Sequence, residues 1–281
     1  MHPAVTDVDA LLARYDAFLL DSYGVLVDSE RALPGAIAFV ERLEHENKAW
    51  LVLSNDASRL TATSARRYRR LGLPIDEERI LTSGDLLAPH VASRGLQGAR
   101  GIVLGPDDSC ELVRRAGMEV VAYDHPAPDA VFVCDDEGYP FLPAVEQVIS
   151  TIIARTEAKQ PVDLVLPNPD VVYPRSPGRI GITAGSVALV IEAALRLRLS
   201  SRCPAFARLG KPHRPMFDEA VARLRLDDRH RTVMLGDQIA TDIAGACAFG
   251  IDSVLLGTGL TDTRAELGEG PHPTWLLHTL E

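Results

Sequence analysis

Short apolar runs that stop at a polar residue recur along this chain, each followed by a stretch with helical spacing. The first runs from Ala17 to Leu20 and stops at Asp21. Gly24 and a turn through Asp28 and Ser29 follow. Pro34 then opens a helix to about Asn47, with Ile37, Val40 and Leu43 on one face. A second run, Ala49 to Leu53, stops at Ser54, and a helix from about Leu60 to Leu71 ends at Gly72. Runs without polar alternation fit strands buried on both faces. Strand–helix–strand order with short links predicts parallel strands covered by helices.

The middle of the chain repeats this alternation. Strands are expected at Gly101 to Leu104, Glu119 to Ala122, Ala130 to Cys134 and Asp163 to Leu166. Helices are expected at Ser109 to Ala116, Pro143 to Ala158 and Ser186 to Leu199, the last with Ser186 as N-cap. Pro167 to Gly185 reads as a Pro-rich loop. The last quarter returns to the first pattern. Phe206 to Leu209 leads to Gly210-Lys211, a helix runs from Pro215 to Leu224, and the strand Thr232 to Leu235 ends at Gly236-Asp237. A short helix from Thr241 to Ala248 and a strand from Ser253 to Leu256 complete it. The fold class is therefore α/β, with a Rossmann-like parallel sheet core and an inserted α/β domain. The core is expected at 1–85 and 204–281 and the insertion at 86–203, with hinges near Ser83-Gly84 and Arg202 to Ala205.

Composition narrows the function. The chain has 281 residues, 29 Lys plus Arg against 39 Asp plus Glu, and a formal charge of −10. Such a surface repels phosphate backbones at long range, which disfavours a nucleic-acid partner. No apolar run reaches 18 residues, so no membrane span is expected. The first residues hold three aspartates and do not read as a signal peptide, and a cytoplasmic location is the expectation. Cys110, Cys134, Cys203 and Cys247 form no CxxC pair and read as buried small hydrophobes.

Ligands of open parallel sheets gather beyond the carboxyl ends of the strands. Asp21, Ser54, Lys211 and Asp237 all fall there, and Asp242 follows five residues after Asp237. Each alone reads as a turn former, a cap or a solvated charge. Together they carry a chemical meaning. Three carboxylates in one site repel each other, and a divalent cation relieves that; Mg²⁺ suits an all-oxygen shell. A lysine and a hydroxyl beside them would hold phosphoryl oxygens, and one carboxylate would serve as nucleophile.

Four stretches then resemble the haloacid dehalogenase-like (HAD) superfamily: LLDSYGVLVD (19–28), VLSNDASR (52–59), GKPHRPMF (210–217) and MLGDQIATDIAGACAFG (234–250). More narrowly, the chain resembles the branch with a large inserted α/β cap. That branch holds the 4-nitrophenyl phosphatase, phosphoglycolate phosphatase and pyridoxal phosphate phosphatase relatives. The cap-side stretch LVLPNPDVVYP…GRIGITAGSVALVIEAAL is similar to it too. The resemblance implies Asp21 as the nucleophile that becomes an aspartyl phosphate. It implies Ser54 and the Asn55 backbone on the phosphoryl group, and Lys211 paired with both Asp21 and phosphate. The Tyr23 carbonyl, Asp21, Asp237 and Asp242 would ligate Mg²⁺. Asn168, Asp170 and Gly185 match family positions on the substrate side of the cap.

One position departs from the family. The pattern Asp-x-Asp-Gly carries its general acid and base at the second Asp, where this chain has Tyr23. Losing a positioned acid/base group costs about 10²–10⁴ in rate. Tyrosine there is similar to the haloacid dehalogenases, yet Asp237 and Asp242 keep the phosphatase-type metal pair. Asp28 and Asp56 are candidate substitutes for the missing carboxylate. The leading expectation is a Mg²⁺-dependent phosphatase of a small phosphorylated metabolite. The alternatives are a catalytically silent protein that binds a phosphorylated ligand, a dehalogenase and a phosphotransferase. Tyr139, Tyr173 and Arg175 are further lining candidates. The resemblance also implies a homodimer formed through the cap.

Overall fold

The computed structural model describes residues 3–28, 30–160, 162–176, 179–226, 229–258 and 270–281, with backbone only at 174–176. Ser29, expected in the first turn, lies outside the described residues. The elements run β1 (Ala4–Val5), α1 (Val8–Arg14), β2 (Ala17–Asp21), α2 (Ala36–His45), β3 (Ala49–Ser54), α3 (Thr61–Arg70) and β4 (Ile80–Thr82). Then come α4 (Leu87–Arg94), β5 (Arg100–Leu104), α5 (Asp107–Arg115), β6 (Glu119–Val121), β7 (Ala130–Val133), α6 (Phe141–Glu157) and β8 (Asp163–Leu166). Next are β9 (Val172–Ser176), β10 (Arg179–Ile182), α7 (Ala184–Leu199) and β11 (Phe206–Arg208). The chain ends with α8 (Arg214–Leu224), β12 (Thr232–Gly236), α9 (Ala244–Phe249), β13 (Asp252–Leu256) and β14 (Trp275–Leu277).

The chain divides into two compact units. The first holds Met1–Ser54, Thr61–Leu81 and Lys211–Glu281, and the second holds Asn55–Leu60 and Thr82–Gly210. The first contains a seven-stranded sheet in the order β1-β14-β13-β12-β2-β3-β4. Its central pairs, β13 with β12, β12 with β2 and β2 with β3, are all parallel. All residues of β2 and β12 are buried, as their unbroken apolar runs require. Phe18, Leu20, Phe39, Val40, Leu43, Trp50, Val52 and Leu235 share one core cluster. The second unit has a parallel five-stranded sheet, β11-β8-β7-β5-β6, with its own core of Ile102, Val131, Val148, Leu164, Ile191 and Leu195 among others. The architecture is the α/β class read from the sequence, a parallel core sheet with an inserted α/β unit.

Several local readings change. Pro167 to Gly185 is not all loop, because β9 and β10 pair as an antiparallel hairpin within it. Its strands are short, carry a proline and expose Val172, Ile180 and Ile182, so they lack the buried-strand pattern. Helix α7 begins at Ala184, and Ser186 is not its N-cap. The Ser186 hydroxyl instead donates to the Val171 carbonyl. Phe206–Arg208 joins the second sheet through β8, although the sequence suggests a return to the first. On α2 the buried face is Ala36, Phe39, Val40 and Leu43, while Ile37 is exposed. On α8 the buried residues are Met216, Phe217 and Ala220. Of the four cysteines only Cys134 is buried, and all four are free thiols. No helix among the described residues is long and apolar enough to cross a membrane.

Candidate active site

The carboxyl ends of β12, β2 and β3 lie side by side in the first unit. Leu20 pairs with Leu235, and Asp21 pairs with Leu53. Asp237, Asp21 and Ser54 therefore leave three adjacent strands at one edge, where open parallel sheets bind ligands. A single wide turn of π type, Ile239–Ile243, follows β12 in place of the first half of the expected short helix. It brings Asp242 back over the strand end, where the Gln238 N–H donates to Asp242 Oδ2 at 3.2 Å. Only glycine fits beneath it. A Cβ at Gly236 would stand 2.2 Å from Asp242 Cβ.

Asp21, Asp237 and Asp242 each offer a carboxylate oxygen, and these oxygens lie within 4.8 Å of one another. Lys211 Nζ donates to Asp21 Oδ1 at 2.5 Å and to Asp242 Oδ1 at 2.7 Å. The four side chains are nearly water-free, with residue exposures of 7% for Asp21, 2% for Lys211, 2% for Asp237 and 0% for Asp242. Burial on its own lowers the Lys211 ammonium, but the Asp21 and Asp242 carboxylates outweigh it and hold lysine above its usual range. Burial pushes Asp242 up to about 6, against the pull of Lys211.

This donor set fits a divalent cation. Three ionised carboxylates and one ammonium leave an excess of two negative charges in a buried place, and all the donors are hard oxygens. The loop after β2 is shaped to the same cluster. Gly24 has φ +78°, and a Cβ there would meet Asp237 Oδ2 at 2.4 Å. The backbone at Gly24 thus runs against the Asp237 carboxylate.

Tyr23 itself is half-buried, with the Arg67 guanidinium 4.8 Å from its ring centroid. Neither proposed substitute carboxylate stands idle. Asp28 accepts from the N–H groups of Glu30 and Arg31. Partial burial raises its carboxyl, but those donors and the Arg31 side chain together hold it below the usual range. Asp56 accepts from Ser58 N, Ser58 Oγ and Arg59 Nη1. Both are built into their own turns.

Ser54 closes β3 in the first unit, and Asn55 opens the second. In the second unit the Asn55 side-chain amide donates to Asp170 Oδ1 at 2.8 Å. Asn168 Oδ1 accepts from the Asp170 N–H, and the Gly185 N–H donates to the Asp170 carbonyl at 2.9 Å. A Cβ at Gly185 would stand 2.2 Å from that carbonyl, which is the physical need for glycine. Asn55, Asn168, Asp170 and Gly185 thus form one constellation. The Thr183 hydroxyl, absent from the sequence-based set, also donates to the Asp170 carbonyl. Tyr139 is apart from that group, with its hydroxyl on the Asp135 carbonyl at 3.1 Å. Tyr173 is half-buried on the β9–β10 hairpin, and the Arg175 side chain lies outside the described residues. Ser22 and Tyr68 were not legible either. Their hydroxyls share a buried hydrogen bond of 2.6 Å between the loop after β2 and α3, and an aromatic residue between arginines gives no sign of it.

Comparison with known proteins agrees with this geometry. The haloacid dehalogenase-like hydrolase family model matches residues 18–119, and a HAD-hydrolase-like model matches 208–281. Chronophin from Homo sapiens is 33% identical over 277 residues, covering 93% of this chain and 88% of chronophin. Dihydroxyacetone phosphatase from Corynebacterium glutamicum is 29% identical over 265 residues, covering 94% of this chain and 89% of that protein. Among solved structures, a possible sugar phosphatase of the HAD superfamily from Cytophaga hutchinsonii matches with a TM-score of 0.86. It is 26% identical, with 99% of this chain and 98% of that chain covered. The chain belongs to the haloacid dehalogenase-like hydrolase family.

Proposed function

We propose that this protein is a Mg²⁺-dependent phosphatase that acts on a small phosphorylated metabolite through an aspartyl phosphate on Asp21. The observation that carries it is the buried meeting of Asp21, Asp237 and Asp242 around Lys211, with Lys211 Nζ 2.5 Å from Asp21. Mg²⁺ held by Asp21, Asp237, Asp242 and the Tyr23 carbonyl would neutralise charge on the phosphoryl oxygens. A carboxylate oxygen of Asp21 attacks phosphorus in line, and the bond from phosphorus to the ester oxygen breaks. An acidic leaving group departs as its anion, and a more basic one takes a proton from solvent water as it leaves. Water then attacks the same phosphorus, gives up a proton to solvent, and breaks the bond to Asp21. Orthophosphate leaves and the carboxylate is restored. Lys211 stays charged throughout and holds Asp21 and a phosphoryl oxygen together. The Ser54 hydroxyl and the Asn55 N–H bind the remaining phosphoryl oxygens.

Asn55, Asn168, Asp170 and Gly185 are the substrate-binding residues of the inserted unit, which we read as a cap. A relative named dihydroxyacetone phosphatase favours a small phosphate ester. A cytoplasmic location and a homodimer belong to the same reading. Phosphate release from a panel of esters, with and without Mg²⁺, tests it against Asp21→Asn. Mg²⁺-dependent release by the native chain alone is expected. Phosphate binding with no turnover of any ester would select the silent binding protein, and halide release from a short haloacid the dehalogenase.

A further inference from the structure

Tyr23 is where the chain departs from its family, and the structure gives the ring a partner. The Arg67 guanidinium lies 4.8 Å from the ring centroid, within cation–π range. The same group donates from Nη2 to the Asp28 carbonyl at 2.9 Å. Arg67 therefore grips the loop after β2 at two points. The next residue on α3, Tyr68, holds Ser22 through a 2.6 Å hydrogen bond. From another side, Thr258 Oγ1 donates to the Gly24 carbonyl at 2.6 Å. The loop runs close to the Asp237 carboxylate, because a Cβ on Gly24 would stand 2.4 Å from Asp237 Oδ2.

We propose that Arg67 is a positioning residue for the cation site. It acts through the Tyr23 ring and fixes the Tyr23–Gly24 peptide against the carboxylates of Asp21 and Asp237. An aromatic side chain at position 23 brings no charge to anchor that peptide, and the stacked guanidinium supplies the hold. The effect on turnover rests on the phosphatase reading; the effect on cation affinity does not.

Calorimetric titration with MgCl₂ separates the two. The proteins are the native chain, Arg67→Gln, Arg67→Lys, Tyr23→Leu and the double variant Tyr23→Leu/Arg67→Gln, each also melted in EDTA and assayed on phosphate esters. Arg67→Gln should weaken Mg²⁺ binding about 10-fold, within the range of about 10- to 100-fold typical of groups that orient metal ligands. Its kcat should fall with KM nearly unchanged. Arg67→Lys keeps the charge without the fork, should lose about threefold, and reads the same contact if Arg67→Gln does not fold. With Tyr23 already leucine, Arg67→Gln should cost much less than it does in the native chain, because only the Asp28 contact is left to lose. Native Mg²⁺ affinity in Arg67→Gln overturns the proposal, as does an effect that adds in full to that of Tyr23→Leu or a loss confined to the EDTA melt. Turnover by the native chain together with unmoved affinity sinks the proposal and leaves the phosphatase reading standing. Coupled Mg²⁺ affinities without turnover of any ester do the reverse. A native chain that binds no Mg²⁺ overturns both.

Discussion

Lys211 Nζ stands 2.5 Å from Asp21 Oδ1, although 190 residues separate them in the chain. The same ammonium reaches Asp242 at 2.7 Å, so one buried cation separates two carboxylates. Lys211→Met should leave those carboxylates facing each other across a buried gap. Breaking a buried pair from one side costs roughly 3–5 kcal/mol. The midpoint of guanidinium unfolding, measured in EDTA at pH 8, should fall accordingly, and turnover should disappear. An unchanged midpoint would show that the pair contributes nothing to folding.

The carboxylate cluster should make stability respond to cations. At a Mg²⁺ concentration 100 times the dissociation constant, binding adds about 2.7 kcal/mol. For a protein of this size that is a rise of roughly 5–10 °C in melting temperature. Asp237→Asn and Asp242→Asn should each abolish most of the rise. A Mg²⁺ response that survives both variants would place the cation elsewhere.

Two glycines are set by the site rather than by their turns alone. Gly236→Ala places a methyl 2.2 Å from Asp242 Cβ, and Gly24→Ala places one 2.4 Å from Asp237 Oδ2 at a φ of +78°. Each should cost about 1–3 kcal/mol by overpacking. Each should also weaken the Mg²⁺-induced rise in melting temperature, because the displaced group is a carboxylate of the cluster. Alanine variants that melt and respond like the native chain would be incompatible with this packing.

Asp135, after β7 in the second unit, carries a carboxyl that burial raises to about 7, against the pull of the Asp136 N–H and with the Asp136 carboxylate adding to the rise. A raised carboxyl binds its proton more tightly folded than unfolded. Its ionisation therefore removes stability as pH climbs from about 4 to about 7. Asp135→Asn removes that dependence, so its melting temperature should gain on the native protein between pH 5 and pH 8. The difference between the two proteins is the readout, since other carboxylates titrate in both. A constant difference across that range would contradict the shift.

Much of the site is legible in the sequence itself. Apolar runs ending at Asp21, Ser54 and Asp237 identify strand ends, because burial on both faces leaves few other places for such runs. A lysine is rare in this chain, so Lys211 beside Gly210 stands out. The hairpin of β9 and β10 was hidden, because its strands expose apolar side chains and include a proline. The small strands β1 and β14 were hidden too. They are two and three residues long, too short for a period to register.

The membership of β11 was likewise not in the sequence. Phe206–Arg208 fits either parallel sheet by pattern, and only its register with β8 assigns it. Contacts that close between distant segments follow the same logic: Arg67 on Tyr23, Tyr68 on Ser22, Thr258 on Gly24, Asn55 on Asp170. Local sequence set the class of fold and the kind of chemistry, because periodicity and residue type are read one segment at a time. Tertiary structure alone decided which charges share an ion-sized space and what grips the loop beside them. Those relations depend on how separate strands and helices pack, and no single segment carries that information.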